Sequence, residues 1–250
     1  MASIEGLKHK LKSLNLSYAH ENINKLLKIA GDKSDSYETF LDRLLHMELS
    51  EREKKKIEIC LKRAQFPESK SIDEFDVTEM KTFSQKQLNQ LKELTWMHQG
   101  YNMILMGPPG VGKSHLAIAL GIHAINMGYK AYFTQMGDLI RILKSQDILR
   151  TSQYKVKYIK SCDLLVIDDL MFMAMDKNEA NLFFQLINCL HGQTSIIITS
   201  NKGSADWGEL LGEPAITTAI LDRILYKCEI IDLPEDSWRM NHRTSIFGNN

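Results

Sequence analysis

GPPGVGKS, residues 107–114, decides how the rest of the chain is read. It fits the pattern G-x-x-x-x-G-K-[ST]. It follows an apolar run, YNMILM (101–106), and opens a helical pattern over 113–127, which is the strand–loop–helix context the motif needs. Gly107, Gly110 and Gly112 let the backbone curl tightly, so that successive N–H groups face a phosphate. The N-terminus of the following helix adds its dipole to the same anion. Lys113 is then expected at the β/γ-phosphates, and the Ser114 hydroxyl at a magnesium ion. Pro108, Pro109, Val111 and His115 complete the expected nucleotide contact surface. The bland alternative, an incidental glycine-rich turn, leaves the flanking strand and helix as coincidence.

A second stretch needs a cation. In SCDLLVIDDLMFM, 161–173, an apolar run meets two adjacent carboxylates, Asp168 and Asp169. Such a run suits a strand buried on both faces of a parallel sheet. Two acids at its end cost desolvation energy unless a positive charge waits there. In P-loop NTPases an Asp in this place holds Mg²⁺ together with the P-loop hydroxyl, so Asp168 joins Ser114 as an expected metal ligand. Asp169 is expected to position or deprotonate the water that attacks the γ-phosphate. Many relatives use Glu there; Asp is one methylene shorter, so slow turnover is expected. The competing reading is a solvated strand end. IIITSNK, 196–202, is a further apolar strand ending in polar residues, from which Asn201 could reach the γ-phosphate or the water. An Asn after a strand is otherwise a turn former.

Working outward, short apolar runs alternate with helical patterns from about Phe83 onward. Strands are predicted at 101–106, 130–134, 163–168, 194–199 and 228–232, and helices at 84–98, 113–127, 137–149, 176–191 and 214–226. This alternation implies an α/β domain with a five-stranded parallel sheet covered by helices on both faces. Residues 1–66 read as all-helical: Leu41, Leu44, Leu45, then Ile57, Cys60, Leu61 and Ala64 recur at helical spacing, and Pro67 is a plausible stop. PESKSIDEFDVTEM, 67–80, reads as a polar linker. The expected organisation is a helical domain over 1–66, a linker over 67–82 and an ATPase domain over 83–250.

Composition narrows the class. The 250 residues carry 31 Lys+Arg and 31 Asp+Glu, so the chain is neutral overall and any basic patch must be local. Cys60, Cys162, Cys189 and Cys228 form no CxxC and are expected to be reduced thiols in a cytoplasmic protein. The N-terminal MASIEGLKHKLKSLNL lacks a signal-peptide core. No stretch approaches the ~18 apolar residues of a membrane helix.

Taken together, GPPGVGKSHLAIALG, LLVIDDL, NLFFQLIN, ITSN, ILDRIL and SWRM resemble the IstB-type helper ATPases of bacterial insertion sequences. These sit in the initiator/helicase-loader branch of AAA+ proteins, beside DnaC-type loaders. LDRLLHMELSEREKKKIEICLKRAQFP, 41–67, extends the resemblance into the helical region and favours IstB over the loaders. The resemblance implies an AAA+ sheet of strand order 5-1-4-3-2 and a C-terminal lid, for which the residues after Leu233 leave room for a short single helix. It implies Mg²⁺-dependent hydrolysis of ATP held between subunits. It also implies assembly of a ring or helical multimer on duplex DNA and engagement of a transposase. Arg223 matches the arginine finger supplied by a neighbouring subunit, and Arg239, in SWRM, matches the sensor-II arginine of the lid. A surface salt bridge is the plain alternative for Arg223. Two other functions compete: a DnaC-like replicative helicase loader and a small-molecule kinase. The late P-loop and the IDD and ITSN strands disfavour the kinase.

RILKSQDILRTSQYKVKYIK, 141–160, supplies the candidate nucleic-acid surface. Arg141, Lys144, Arg150, Lys155, Lys157 and Lys160 face a single acid, Asp147, with Tyr154 and Tyr158 interleaved. Such a stripe would bind phosphate without reading sequence; a solvated helix face is the alternative. A second basic cluster, Arg52, Lys54, Lys55, Lys56, Lys62 and Arg63, has acids interspersed and suits a protein partner equally well.

Overall fold

The computed structural model describes residues 3–78, 80, 82–170, 175–201 and 214–234. The chain divides into two compact units, residues 1–59 and 60–250.

The first unit contains α1 (Ile4–Ser13), α2 (Ser17–Asp32) and most of α3 (Tyr37–Ala64). Ser3 caps α1 by accepting the Gly6 N–H, which satisfies one of the orphan donors at the helix start. The core is small: Ala19, Ile23 and Leu26 of α2 close on Leu44 of α3, with Phe40 and Met47 alongside. A buried carboxylate, Glu48, accepts the Ala19 N–H at 2.9 Å and pairs with Arg52. Burial alone would raise the Glu48 carboxyl; the Ala19 N–H and the Arg52 charge outweigh it and hold it below its ordinary value.

The second unit carries the sheet. Five parallel strands, β1 (Asn102–Met106), β2 (Ala131–Gln135), β3 (Leu164–Asp168), β4 (Ser195–Ser200) and β5 (Cys228–Asp232), lie in the order β2-β3-β4-β1-β5. This is the expected 5-1-4-3-2 arrangement read from the other edge. Strands β3 and β4 are buried along their whole length, as a sheet covered on both faces demands. The edge strand β5 is mostly exposed. Helices α6 (Lys113–Asn126), α7 (Met136–Ser145), α8 (Arg150–Ile159), α9 (Lys177–Leu190) and α10 (Pro214–Leu225) follow their strands. Before β1 come α4 (Gln85–Lys92) and α5 (Thr95–His98).

Of the predicted helices one is divided and another ends early, followed by a helix that was not predicted. The one expected over 84–98 breaks where Leu94 adopts a left-handed conformation (φ 56°) and is fully buried; packing of this side chain overrides helical propensity. The one expected over 137–149 stops at Ser145, because Ile148 and Leu149 face solvent and offer the core nothing. The chain restarts as α8, which returns Val156 and Ile159 to the core. The polar segment after Pro67 carries buried Ile72, Phe75 and Val77, and the Phe75 ring meets Phe83 and His115 edge-on. The lid expected after residue 234 lies outside the described residues.

Candidate nucleotide-binding site

All five strands are parallel, so their C-terminal ends share one edge of the sheet. The loop after β1, the acids after β3 and the polar residues after β4 therefore converge, although they are far apart in sequence. Ligands of open α/β sheets bind at this edge.

The loop is shaped by its glycines. Gly107 (φ 141°), Gly110 (φ 89°) and Gly112 (φ 103°) all take positive φ. At Gly107 a Cβ would also lie 2.1 Å from the Leu233 carbonyl oxygen, so no side chain fits. Gly112 caps α6. Val111 is buried, whereas Pro108 and Pro109 are exposed. Lys113 is largely buried, and its ammonium donates to the carbonyls of Gly107 and Pro108, both at 2.8 Å. The ammonium is thereby held over the loop whose N–H groups would receive the phosphates. His115 packs edge-on against Phe75, with ring centroids 5.4 Å apart. Its imidazole is held below the ordinary value, first by burial and then by the charge of Lys70.

The Ser114 hydroxyl donates to Asp168 Oδ1 at 2.7 Å. Two hard oxygens from β3 and α6 thus meet at one point. Mg²⁺ is typically bound by one or two protein oxygens, with the substrate's phosphates and water completing an octahedron. The donor set fits that ion, and Ser114 and Asp168 would hold it.

One member of this cluster was not expected. Thr199, in β4, is 1% exposed. Its hydroxyl donates to Asp168 Oδ1 at 2.6 Å and accepts the Asp169 N–H at 2.9 Å. The Leu170 N–H donates to the Thr199 carbonyl. Asp169 sits in the left-handed region (φ 58°), a conformation that costs a non-glycine residue on the order of 1 kcal/mol and that Asp tolerates better than most. Thr199 thus holds the first acid and fixes the turn that aims the second. Asp169 is half-buried, and its carboxyl is raised above the ordinary value, first by burial and then by the charge of Asp168, with Lys113 opposing. The signal was present in ITSN as a hydroxyl two residues before the asparagine. Asn201 lies one residue beyond β4 at the same edge and is exposed.

Arg223 is elsewhere. It lines a cavity of about 190 Å³ with Gln99, Asn102, Gly192 and Thr194, residues that lead into β1 and β4. That is the opposite edge of the sheet from the P-loop, about 16 Å away for five-residue strands. Nε donates to Asn188 Oδ1 and Nη1 to the Ala219 carbonyl, each at 2.9 Å, and the guanidinium lies 4.9 Å from the centre of the Phe184 ring. Among the described residues no carboxylate pairs with it. Arg239 lies outside the described residues.

The basic stripe is divided between helices. On α7, Arg141 pairs with Asp138 and Lys144 with Glu179. Around α8, Arg150, Lys155, Lys157 and Lys160 are exposed, as is Tyr154. Tyr158 is half-buried against Tyr132, 5.9 Å between centroids, and so is spent on packing.

With this geometry in place, comparison with known proteins identifies the family. The family model described as IstB-like ATP binding protein matches residues 9–246. The chain belongs to that family. The protein named for ATP binding in insertion sequence IS21 of Pseudomonas aeruginosa is 35% identical over 243 residues, 97% of this chain and 91% of that one. An IS21-like counterpart from Bacteroides fragilis is 35% identical and aligns over 99% of this chain and 97% of its own. Among solved structures, AMPPCP-bound DnaA from Aquifex aeolicus superposes with a TM-score of 0.53 at 22% identity, covering 66% of this chain and 50% of its own. The DnaC helicase loader gives 0.51 at 24% identity, covering 65% and 96%. These likenesses show that the sheet and its covering helices share the fold of those two proteins. Among the described residues no helix is long and apolar enough to cross a membrane.

Proposed function

We propose that this protein is the ATP-hydrolysing helper of an insertion sequence, which assembles on duplex DNA with ATP between subunits and then engages a transposase. The observation that carries the reading is the separation of Arg223 from its own P-loop. Ser114, Lys113, Asp168 and Asp169 bind and orient the nucleotide at one edge of the sheet. A cation suited to the transferred phosphoryl stands at the other edge, with no carboxylate partner among the described residues. Arg223 therefore cannot serve the site of its own copy, and a second copy can bring it to that site, as trans arginines do elsewhere. Asp169 accepts or orients the proton of the attacking water, Lys113 neutralises the β/γ-phosphates, and Asn201 lies where it can contact the γ-phosphate or the water. Mg²⁺, held by Ser114 and Asp168, would supply charge neutralisation between the phosphates. Arg239 is assigned the sensor role from the lid. The helical region over 1–66 is assigned to DNA or transposase contact, and the stripe from Arg141 to Lys160 to the phosphate backbone.

The insertion-sequence reading is preferred to a helicase loader because the insertion-sequence relatives align over 97–99% of the chain, whereas the loader covers 65%. The test is to incubate the protein with duplex DNA, Mg²⁺ and ATP or a non-hydrolysable analogue, and to follow assembly by sedimentation and phosphate release. ATP-dependent growth on DNA with DNA-stimulated hydrolysis is expected. A monomer at all protein concentrations, hydrolysing at an unaltered rate with and without DNA, would rule the reading out.

A further inference from the structure

The contacts of Arg223 are unusual for a surface arginine. All three are neutral, and two come from one face of a different helix. Phe184 and Asn188 are i and i+4 on α9, so their side chains stand together on the surface that α10 packs against. The ring of Phe184 supports the face of the guanidinium, while Asn188 Oδ1 takes the Nε proton. The Ala219 carbonyl, one turn back on α10, takes a proton of Nη1. A guanidinium has five N–H donors. These contacts use two and leave three, both of those on Nη2 among them, with no acceptor among the described residues. The residue beneath, Ile224, is fully buried and its carbonyl accepts from Asn102 of β1, so the backbone carrying Arg223 is tied to the sheet.

From this arrangement we infer that Phe184 and Asn188 are positioning residues for the ATPase reaction: together they hold the Arg223 guanidinium, through neutral contacts, in a fixed pose that meets the nucleotide phosphate of a neighbouring copy. The inference rests on the proposed role of Arg223 in trans. The physical need is clear. A free arginine samples many rotamers and would lose that freedom on reaching the phosphate. A side chain already stacked and hydrogen-bonded has been ordered in advance, which favours the aligned geometry transfer requires. The supports are also chosen so as not to cancel the charge. A carboxylate at residue 188 would hold Nε equally well but would pair with the guanidinium and compete with phosphate; an amide holds it while remaining neutral. Phe offers a π face, which attracts a cation without neutralising it.

The test is a mixing assay with ATP, Mg²⁺ and duplex DNA. Chains carrying Lys113→Ala supply only the finger, and chains carrying Arg223→Ala supply only the P-loop. Their mixture should recover part of the turnover that each lacks alone. Phe184→Leu or Asn188→Ala placed in the finger-supplying chain should lower the recovered kcat about three- to tenfold, the scale of losing one cation–π contact or one ordered hydrogen bond, with KM for ATP unchanged. The same substitutions in the P-loop-supplying chain should leave the recovered rate as it was. Phe184→Tyr, which keeps the ring, should restore turnover in the finger-supplying chain. Asn188→Asp should be worse than Asn188→Ala, because it installs a competing charge. Equal losses in both arms would reduce Phe184 and Asn188 to structural packing, and wild-type recovery in the finger arm would overturn the inference directly. Wild-type turnover of Arg223→Ala alone would instead remove the reading on which it rests.

Discussion

Thr199 Oγ1 donates to Oδ1 of Asp168 at 2.6 Å, and Ser114 Oγ reaches the same oxygen at 2.7 Å. Strands β3 and β4 and helix α6 are therefore fastened at one carboxylate oxygen. The same Thr199 hydroxyl accepts the Asp169 N–H, so both acids depend on one side chain.

Thr199→Val keeps the shape and removes these bonds. It leaves the Asp169 N–H without its partner and frees the turn that aims the acid. A cost of about 1–3 kcal/mol in stability is expected, with ATP turnover lowered at least tenfold and nucleotide affinity changed little. Thr199→Ser should recover most of both. Thermal unfolding and phosphate release on the three proteins check this; wild-type turnover in Thr199→Val would refute it.

The P-loop and the two acids were legible because each is a contiguous pattern with its own chemistry. The Thr199 hydroxyl is visible in ITSN, but its role arises only when β4 pairs with β3. It reads in sequence as one more polar strand end. The breaks at Leu94 and after Ser145 were missed for a related reason: local apolar periodicity continues through both, and only tertiary packing shows that Leu94 is buried while Ile148 and Leu149 are not. The strand order followed from the family resemblance, and alternation alone gave the parallel sheet. The neutral supports of Arg223 were hidden in NLFFQLIN, a stretch that reads simply as an amphipathic helix.

Within the site the two kinds of loss should separate. Lys113→Ala removes the ammonium that pairs the phosphates and should abolish ATP binding, seen with a fluorescent nucleotide. Asp169→Asn keeps the turn and the size but cannot take a proton. It should bind ATP with near-normal affinity, stop turnover, and leave the assembled state long-lived on DNA. Hydrolysis at the wild-type rate would show that Asp169 is not the water-positioning acid.

Gly121, within α6, should resist the usual gain from Gly→Ala in a helix. An added Cβ would stand 2.3 Å from the Phe66 ring, which itself packs against Phe133, 5.7 Å between centroids. Gly121→Ala is expected to destabilise by about 1–3 kcal/mol through overpacking, despite an intrinsic helix gain of ~1 kcal/mol. Combining it with Phe66→Leu should cost less than the sum of the two single changes, as neighbouring residues do in a double-mutant cycle. Additive losses in urea unfolding would show that the two side chains do not compete for the same space.

Glu48 makes a pH prediction for the helical unit. Its folded carboxyl titrates below the ordinary value because the Ala19 N–H and Arg52 stabilise the charged form against burial. A group lowered on folding binds protons more readily when unfolded. Its contribution is therefore present above the ordinary carboxylate range and is lost as the pH falls through the folded value. Glu48→Gln should destabilise α2 by roughly 1–3 kcal/mol at pH 7, and the gap to wild type should close in acid. Amide exchange at residues 17–26 localises the effect; a gap independent of pH would contradict the assignment.

The final prediction concerns DNA, where the structure reorders the basic stripe. Lys144 is held by Glu179, which raises the Lys144 pKa, and Arg141 is held by Asp138. A charge already paired must give up its partner before it can neutralise a phosphate. Arg150 and Lys157 share the face of α8 that points away from Val156 and Ile159, with the exposed Tyr154 between them. They are the residues to reverse. Each phosphate contact contributes about −0.9 to the slope of log K against log salt, so several subunits on one duplex should bind tightly and with a steep slope. Arg150→Glu with Lys157→Glu should weaken binding to all duplex sequences alike and flatten that slope by about 2 units per subunit removed from contact. ATP binding to the free chain should be unchanged, because the two substitutions leave Lys113, Ser114 and Asp168 and their hydrogen bonds in place. Reversing Lys144 should do less to DNA affinity and more to stability, since it breaks the pair with Glu179. If the Arg150/Lys157 double variant binds duplex DNA in ATP as wild type does, α8 is a solvated face. The cluster Arg52, Lys54, Lys55 and Lys56 then becomes the surface to test.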